Sequence, residues 1–406
     1  MSRDAILIAI LSTILLVGLA VSSPPLVFLA LSVGTAAILG RVWARLGARH
    51  LTHEHRLKNI RCQIGDGTEV EIRMDNPTPL PLPWVEVTEA LPDEGLELTG
   101  GPFGVELFGL SMRTGLGWFE RLRRTYHFTA RRRGYYKLGP ASLRVWDPLG
   151  LSFVDRRFEQ RVSVTVFPRV LSLRELGISA DHPFGDPQRD RWLFRDPLSI
   201  TGARSYEPGD PLSSIHWPAT AVAGEMMTKV QEGTRTPEIS IFMNVTTMPV
   251  SWHGLVPELL ELTLSTTASV AEHALDDGFA VGLYSNGNLV KESPEDSARP
   301  ITLAPSASPQ QLGEILEILA RTSDHGRETL EKTLLRHLDP DDYGVHTVVV
   351  TPLLTEGLRE SLSGLLGRNV PLTVIYTGDR PVPYMPPETD LYSVGGRERW
   401  ETIAPQ

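Results

Sequence analysis

The chain opens on two uncharged apolar runs, Ala5–Val21 and Leu26–Gly40, separated by Ser22-Ser23-Pro24-Pro25. At about 1.5 Å per helical residue the first run reaches about 25 Å, slightly short of a hydrocarbon core of about 30 Å. The second run is shorter, but Trp43 and snorkelling arginines extend it. The pattern predicts a two-helix transmembrane hairpin with a juxtamembrane helix over residues 1–50. A cleaved signal peptide is the competing reading. It is disfavoured because the second run follows at once and no clear A-x-A site precedes a soluble domain. Arg41, Arg45 and Arg49 follow the second run, whereas the turn is uncharged. The positive-inside rule then expects a multi-pass protein of the cell (inner or plasma) membrane. Its soluble part is cytoplasmic, and membrane lipid is its first partner.

Beyond the hairpin the period changes to two. Glu69–Met74, Trp84–Thr88, Tyr126–Ala130, Ala141–Trp146 and Val162–Phe167 read as short strands between Gly- and Pro-rich breaks. They predict a β-sandwich-like domain over 55–170. Residues 171–237 are irregular. After Pro237, strand and helix patterns alternate: strand Glu238–Val245, helix Val256–Leu275, strand Phe279–Tyr284, helices Pro309–Ala320 and Glu328–His337, strand Thr347–Thr351, helix Thr355–Leu366 and strand Leu372–Tyr376. This alternation predicts an α/β domain with a mainly parallel sheet over 238–380. A Pro-rich tail, 381–406, is expected to wrap the surface.

Charge sharpens the division. Of 39 basic and 49 acidic groups, residues 1–169 hold 21 and 16, and residues 170–406 hold 18 and 33. The membrane-side part is therefore net basic and the remainder strongly acidic, which argues against wholesale nucleic-acid binding and sets no nucleic acid among the expected partners. The single cysteine, Cys62, excludes a disulfide framework and a cysteine-rich zinc site.

Two stretches carry a resemblance. One is Arg133-Gly134-Tyr135-Tyr136-Lys137-Leu138-Gly139-Pro140, followed by Asp147-Pro148-Leu149-Gly150-Leu151; the other is Tyr206-Glu207-Pro208-Gly209-Asp210, followed by Ile215-His216-Trp217. Together they resemble the bacterial domain of unknown function 58 family over nearly the whole chain. The resemblance implies a membrane hairpin, a β-rich domain, the Tyr-x-Pro-Gly-Asp segment and a Rossmann-type, von Willebrand factor A-like α/β domain, in that order. It also implies a companion: a MoxR-type AAA+ ATPase, in a chaperone-like or envelope-related system. Many members carry arginines after the Pro-Gly-Asp turn and after the tryptophan. This chain has Ser213-Ser214 and Thr220-Ala221-Val222 there, which puts any anion binding by those arginines in doubt.

Read from its residues alone, Pro208 and Gly209 suit a type II turn, and Asp210 can accept backbone N–H bonds after it. Ile215 and Trp217 fall on one face of an expected strand, with Trp217 as a core anchor and His216 opposite. Asp210 and His216 are either a polar pair within a site or parts of a structural turn around Tyr206, Pro208 and Gly209. Von Willebrand domains often hold Mg²⁺ through Asp-x-Ser-x-Ser. The matching positions here are Asn244, Thr246 and Met248, and the later strand end, Thr351-Pro352, adds no carboxylate. No metal and no cofactor are expected.

His50-Leu51-Thr52-His53-Glu54-His55 fits neither H-E-x-x-H nor H-x-x-E-H and reads as a solvated juxtamembrane stretch. No P-loop and no G-x-S-x-G elbow occur. Arg121, Arg123, Arg124, Arg131, Arg132, Arg133 and Lys137 interleave with aromatics, either as a solvated sheet face or as a lipid- or nucleic-acid-binding run. The expectation is a non-enzymatic, membrane-anchored scaffold. The alternatives are an enzyme using Asp210 and His216, or a metal-dependent von Willebrand A adhesion-type module.

Overall fold

The computed structural model describes residues 3–90, 95–100, 104–106, 109–178, 183–184, 200–208, 210, 212–231, 236–249, 254–290, 300–338, 345–368, 370–382, 384–387 and 389–404. The chain divides into two compact units, Met1–Val166 and Phe167–Gln406.

The first unit begins with helices α1 (Arg3–Ala20) and α2 (Pro24–His50), which pack on one another. Prolines open α2, where a missing N–H costs nothing. Its 27 residues make about 40 Å of helix. By length and composition α2 can cross a membrane, whereas the apolar stretch described in α1, Ile8–Ala20, is shorter than a span. Among the described residues one candidate span is therefore present, and a multi-pass arrangement is not supported.

Strands follow among the described residues: β1 (Thr52–Leu57), β2 (Arg61–Gln63), β3 (Gly67–Asp75), β4 (Leu82–Glu89), β5 (Leu96–Gly100), β6 (Gly104–Glu106), β7 (Gly109–Leu116), β8 (Arg121–Ala130), β9 (Gly134–Leu138), β10 (Ala141–Trp146), β11 (Phe153–Phe158) and β12 (Val162–Phe167). They form sheets ordered β1-β3-β8-β5, β11-β10-β4-β7-β6 and β2-β12-β9. The alternation of β3 buries Thr68, Val70, Ile72 and Met74, and that of β4 and β10 buries Val85, Val87, Leu143 and Val145. The first two sheets bury these faces against each other as a sandwich. The last turns of α2 are built into this domain. Gly40 lies where a Cβ would come within 3.1 Å of Asp147, Trp43 Nε1 donates to the Pro81 carbonyl at 2.9 Å, and Gly47 abuts Leu82. The Arg156 guanidinium donates to the carbonyls of Ala48, Arg49 and Leu51, where the helix end leaves acceptors open.

The basic run of β8 and the residue after it is a solvated ladder with acidic partners. Arg121 pairs with Asp75 at 2.8 Å, Arg123 approaches Glu71 at 3.9 Å, and Arg131 meets Glu97 at 2.5 Å. Cys62 is buried; burial first, then the charge of Asp66, push its thiol up to about 11. The thiolate is therefore scarce at neutral pH.

The second unit contains β13 (Ile200–Ser205), α3 (Trp217–Ala223), β14 (Met227–Gln231), β15 (Glu238–Met243), α4 (Pro257–Asp276), β16 (Ala280–Leu289), β17 (Pro300–Ser306), α5 (Gln311–Ala320), β18 (Thr322–Gly326), α6 (Leu330–His337), β19 (Val345–Thr351), α7 (Glu356–Leu366), β20 (Leu372–Tyr376), β21 (Asp390–Ser393) and α8 (Gly396–Ile403). Strands β13 and β14 form a separate antiparallel hairpin. The large sheet runs β17-β16-β15-β19-β20-β21, with β18 pairing β16. Ile239, Ile241 and Met243 of β15 join one core with Leu260 and Ile315, while Phe242 joins the opposite core with Leu334 and Leu358.

The expected fold class, a Rossmann-type von Willebrand factor A-like domain with a mainly parallel sheet beside a β-sandwich-like domain, is corrected here. The described sheets are mostly antiparallel: β1 with β3, β3 with β8, β4 with β7 and β10, β9 with β12, and β13 with β14 all pair so. The large sheet itself is mixed, parallel between β16, β15, β19, β20 and β21, and antiparallel where β17 and β18 meet β16. Hydrophobic periodicity finds a strand but not the direction of its neighbour. The tail is corrected too. It adds β21 to the sheet edge and α8 to the face of α4, with Trp400 and Ile403 packed on the core.

Candidate functional site

The Tyr-x-Pro-Gly-Asp segment lies in the connection between β13 and β14. The Asp210 N–H donates to the Glu207 carbonyl at 3.0 Å, closing a four-residue turn over Pro208. Gly209, and with it the expected turn type, lies outside the described residues. The Asp210 carboxylate accepts from Arg204 at 2.7 Å, from the Glu207 N–H at 3.1 Å and from Thr228 Oγ1 at 3.2 Å. The Arg204 hydrogen bond, foremost, holds this carboxyl below the usual range. The Tyr206 N–H donates to the Met226 carbonyl, so the motif is stitched into the hairpin by its backbone.

His216 is the N-cap of α3. Its Nδ1 accepts from the Ala219 N–H at 3.0 Å, and Pro218 sits in the first turn. Gly224, at φ +75°, ends the helix in the left-handed conformation. Asp210 and His216 are thus each engaged elsewhere, and no hydrogen bond between them occurs among the described contacts. Ile215 is buried as expected, but Trp217 is not a core anchor on a strand. It starts α3 and is 67% exposed. The sequence signal was Trp217-Pro218: proline breaks a strand pairing but suits the first helical turn. Leu212, Val222 and Met226 are exposed in the same segment, Val222 at 90%. Together with Trp217 they leave four large apolar side chains open around one seven-residue helix.

The strand-end positions Asn244, Thr246 and Met248 follow β15. Asn244 is buried; its Oδ1 accepts from the Thr246 N–H at 3.0 Å and from Asn286 Nδ2 at 2.9 Å, and its Nδ2 donates to Thr351 Oγ1 at 3.0 Å. Asn286, on β16, was not singled out from the sequence. Its Nδ2 donates to Asn244, to Thr246 Oγ1 and to the Glu328 carbonyl, and its Oδ1 accepts from the Val245 N–H. An uncharged amide donor thus lies between the oxygens of Asn244 and Thr246 and satisfies them. Met248 is half-buried and has no hard donor atom. Replacing Asn286 by Ala orphans several buried groups at once. A loss of at least about 2 kcal/mol is expected, measured as a drop in denaturation midpoint.

A third constellation was missed. His53 and His55 were read as part of a solvated stretch; they are 4% and 3% exposed. They occupy the inward phase of β1, and Glu89 reaches them from the end of β4 in the facing sheet. Nε2 of His53 and of His55 lie 3.3 Å apart, and both approach Glu89 Oε1, at 3.1 and 2.8 Å. Neither Nδ1 has a hydrogen-bond partner among the described residues. Burial pushes the Glu89 carboxyl up, but the hydrogen bonds and charge of the two histidines outweigh it and hold it down. Phe158 packs on His53, and the Arg156 guanidinium that closes α2 lies over Phe158. The signal was present as Thr52-His53-Glu54-His55-Arg56-Leu57, a period-two run with histidine in the buried phase.

No family model matches the chain. It is similar to the uncharacterized protein YeaD of Bacillus subtilis (strain 168), 24% identical over 328 residues, which cover 76% of this chain and 72% of that relative. Solved structures with partial likeness include the CARDB domain of a Pyrococcus furiosus protein, at 17% identity over 29% of this chain and 86% of that one, TM-score 0.19. A type II cohesin domain from the cellulosome of Acetivibrio cellulolyticus covers 28% of this chain and 94% of its own, at 9% identity and TM-score 0.23. At such TM-scores these likenesses have no weight for fold or function.

Proposed function

We propose that the chain is a membrane-anchored scaffold that presents a protein-binding surface in the cytoplasm, with a MoxR-type AAA+ ATPase as the partner to test first. The N-terminal half of α2 supports the anchor. Leu26, Phe28, Leu29, Leu31, Ile38 and Leu39 are all exposed, Phe28 at 75%. Exposed aromatics of the β-domain gather where α2 enters it. Trp118 and Phe119, 71% and 68% exposed, sit on a turn tied to Thr78, near the Pro81 carbonyl that holds Trp43. Leu149, 58% exposed, lies on the loop that touches Gly40. Such a collar suits the headgroup level of a bilayer. Arg41, Arg45 and Arg49 follow the apolar stretch, which favours the cytoplasm for the domains.

The observation that carries the scaffold reading is the exposure of four large apolar side chains, Leu212, Trp217, Val222 and Met226, in and beside α3. Exposed tryptophan beside aliphatics is the composition of a binding hot spot. The ATPase is named by the family resemblance alone. The test is a binding measurement between the detergent-solubilised full chain and the purified MoxR-type ATPase of the same genome. Binding weakened at least about 10-fold by the double variant Trp217→Ala/Val222→Ser is expected, a hot-spot-sized effect. No binding by the wild type, or equal binding by the variant, sinks the proposal.

A further inference from the structure

We propose that His53, His55 and Glu89 hold one divalent transition-metal ion of the zinc type, which cross-links the two sheets of the first unit. Two imidazoles and one carboxylate form a donor set suited to zinc and its first-row neighbours; magnesium and calcium prefer all-oxygen sets.

The geometry separates this from an ordinary hydrogen-bonded cluster. In a tetrahedral zinc site with bonds of about 2.0–2.1 Å, neighbouring ligand atoms stand about 3.3 Å apart. The three ligand atoms here form a triangle with edges of 3.3, 3.1 and 2.8 Å. A shared cation gives all three contacts one cause. In the arrangement where both Nε2–H groups donate to Glu89, the 3.3 Å contact between them sets donor against donor. The Glu89 carboxylate is buried between two sheets, where a divalent ion would supply a full counter-charge.

Three protein donors fill three of the four tetrahedral positions, and the fourth falls to a water molecule. All three ligands are buried, so no face of the triangle opens to bulk solvent through them. The ligands join β1, which continues directly from α2, to β4, whose Leu82 meets Gly47 of that helix. A metal here would fasten together the two strands that flank the helix socket.

The test uses the full chain purified in detergent from zinc-supplemented cells. Elemental analysis is expected to find about one zinc per chain, and removal by a chelator to lower the thermal midpoint. Cobalt(II) added to the stripped protein is expected to give the visible absorption of tetrahedral cobalt. Glu89→Gln keeps the shape and removes the charge; its zinc affinity is expected to fall by more than about 100-fold, beyond what outer-shell changes produce. His53→Gln/His55→Gln is expected to hold no stoichiometric metal. The wild-type measurements do not depend on either variant folding. Absence of metal and of a cobalt spectrum in folded wild type overturns the proposal, and so does equal metal content in the double-histidine variant.

Discussion

Asp147→Ala is expected to lower the stability of the first unit by about 4 kcal/mol, read as a fall in denaturant midpoint with little change in slope. One carboxylate holds the Asp147–Ser152 loop closed. Its Oδ1 accepts from the N–H groups of Leu149 and Leu151 at 2.8 and 3.1 Å, and its Oδ2 from the N–H and hydroxyl of Ser152 at 2.6 and 2.7 Å. The residue is 1% exposed. Hydrogen bonds to a charged acceptor contribute about 1.5–3 kcal/mol each, and the alanine variant loses four while water recovers part. The loop also forms the wall against Gly40, so its collapse loosens α2. Burial pushes this carboxyl up, but the bonds from Ser152, Leu151 and Leu149 hold it below the usual range. Its contribution is therefore present above the unfolded value near pH 4 and is lost as the pH falls through the lower folded value. Asp147→Asn, which keeps one acceptor, is expected to fall between wild type and alanine. If both variants lie within about 1 kcal/mol of wild type, the carboxylate does not hold the loop.

The second large effect is an acid destabilisation centred on His346. This residue lies in β19, 6.3 Å from Phe184 by ring centroids, with Nε2 2.8 Å from Thr373 Oγ1. Thr373 itself donates to the Pro183 carbonyl, so its oxygen accepts from the histidine N–H. Burial lowers the imidazole to about 4 from its ordinary 6.5. The unfolded chain therefore binds a proton between pH 6.5 and 4 that the folded chain refuses. Stability from this group is complete above about pH 6.5 and declines as the pH falls. The loss approaches about 3 kcal/mol at pH 4, where the folded imidazole also titrates. His346→Gln removes this proton. Its stability is expected to vary less with pH than wild type over that window, measured by denaturation at a series of pH values. Parallel curves for the two proteins refute the assignment.

Much of the secondary structure was legible in residue spacing. The alternation of Glu69–Met74 falls within β3, and Ala141–Trp146 is β10 itself. The mainly apolar run within Glu238–Val245 announced a strand buried on both faces. What spacing does not hold is anything that depends on a distant partner. The direction of pairing, and so the fold class, rests on which strand lies alongside. Glu89 is 34 residues from His55, so the cluster between them has no local signature. Asn286 fills the space beside Asn244 from 42 positions away. His216-Trp217-Pro218 was read as strand, but it opens a helix, because His216 Nδ1 finds the Ala219 N–H. The motif residues themselves were found; the open apolar side chains beside them were not, because exposure is a property of the neighbours a tryptophan lacks.

The way α2 enters the β-domain has a mechanical consequence. Gly40, Trp43, Gly47 and the Arg156-bound carbonyls all grip the helix with no intervening linker. A domain on a flexible tether samples a hemisphere of positions above a bilayer, whereas a domain clamped to its own helix has a set height and facing direction. With α2 embedded in lipid, tilt of the helix becomes rotation of the β-domain through the same angle. Bilayer thickness then acts as a control on posture: a thinner membrane tilts the helix and turns the domain with it. A load applied to the domain returns along the same shaft as torque in the membrane.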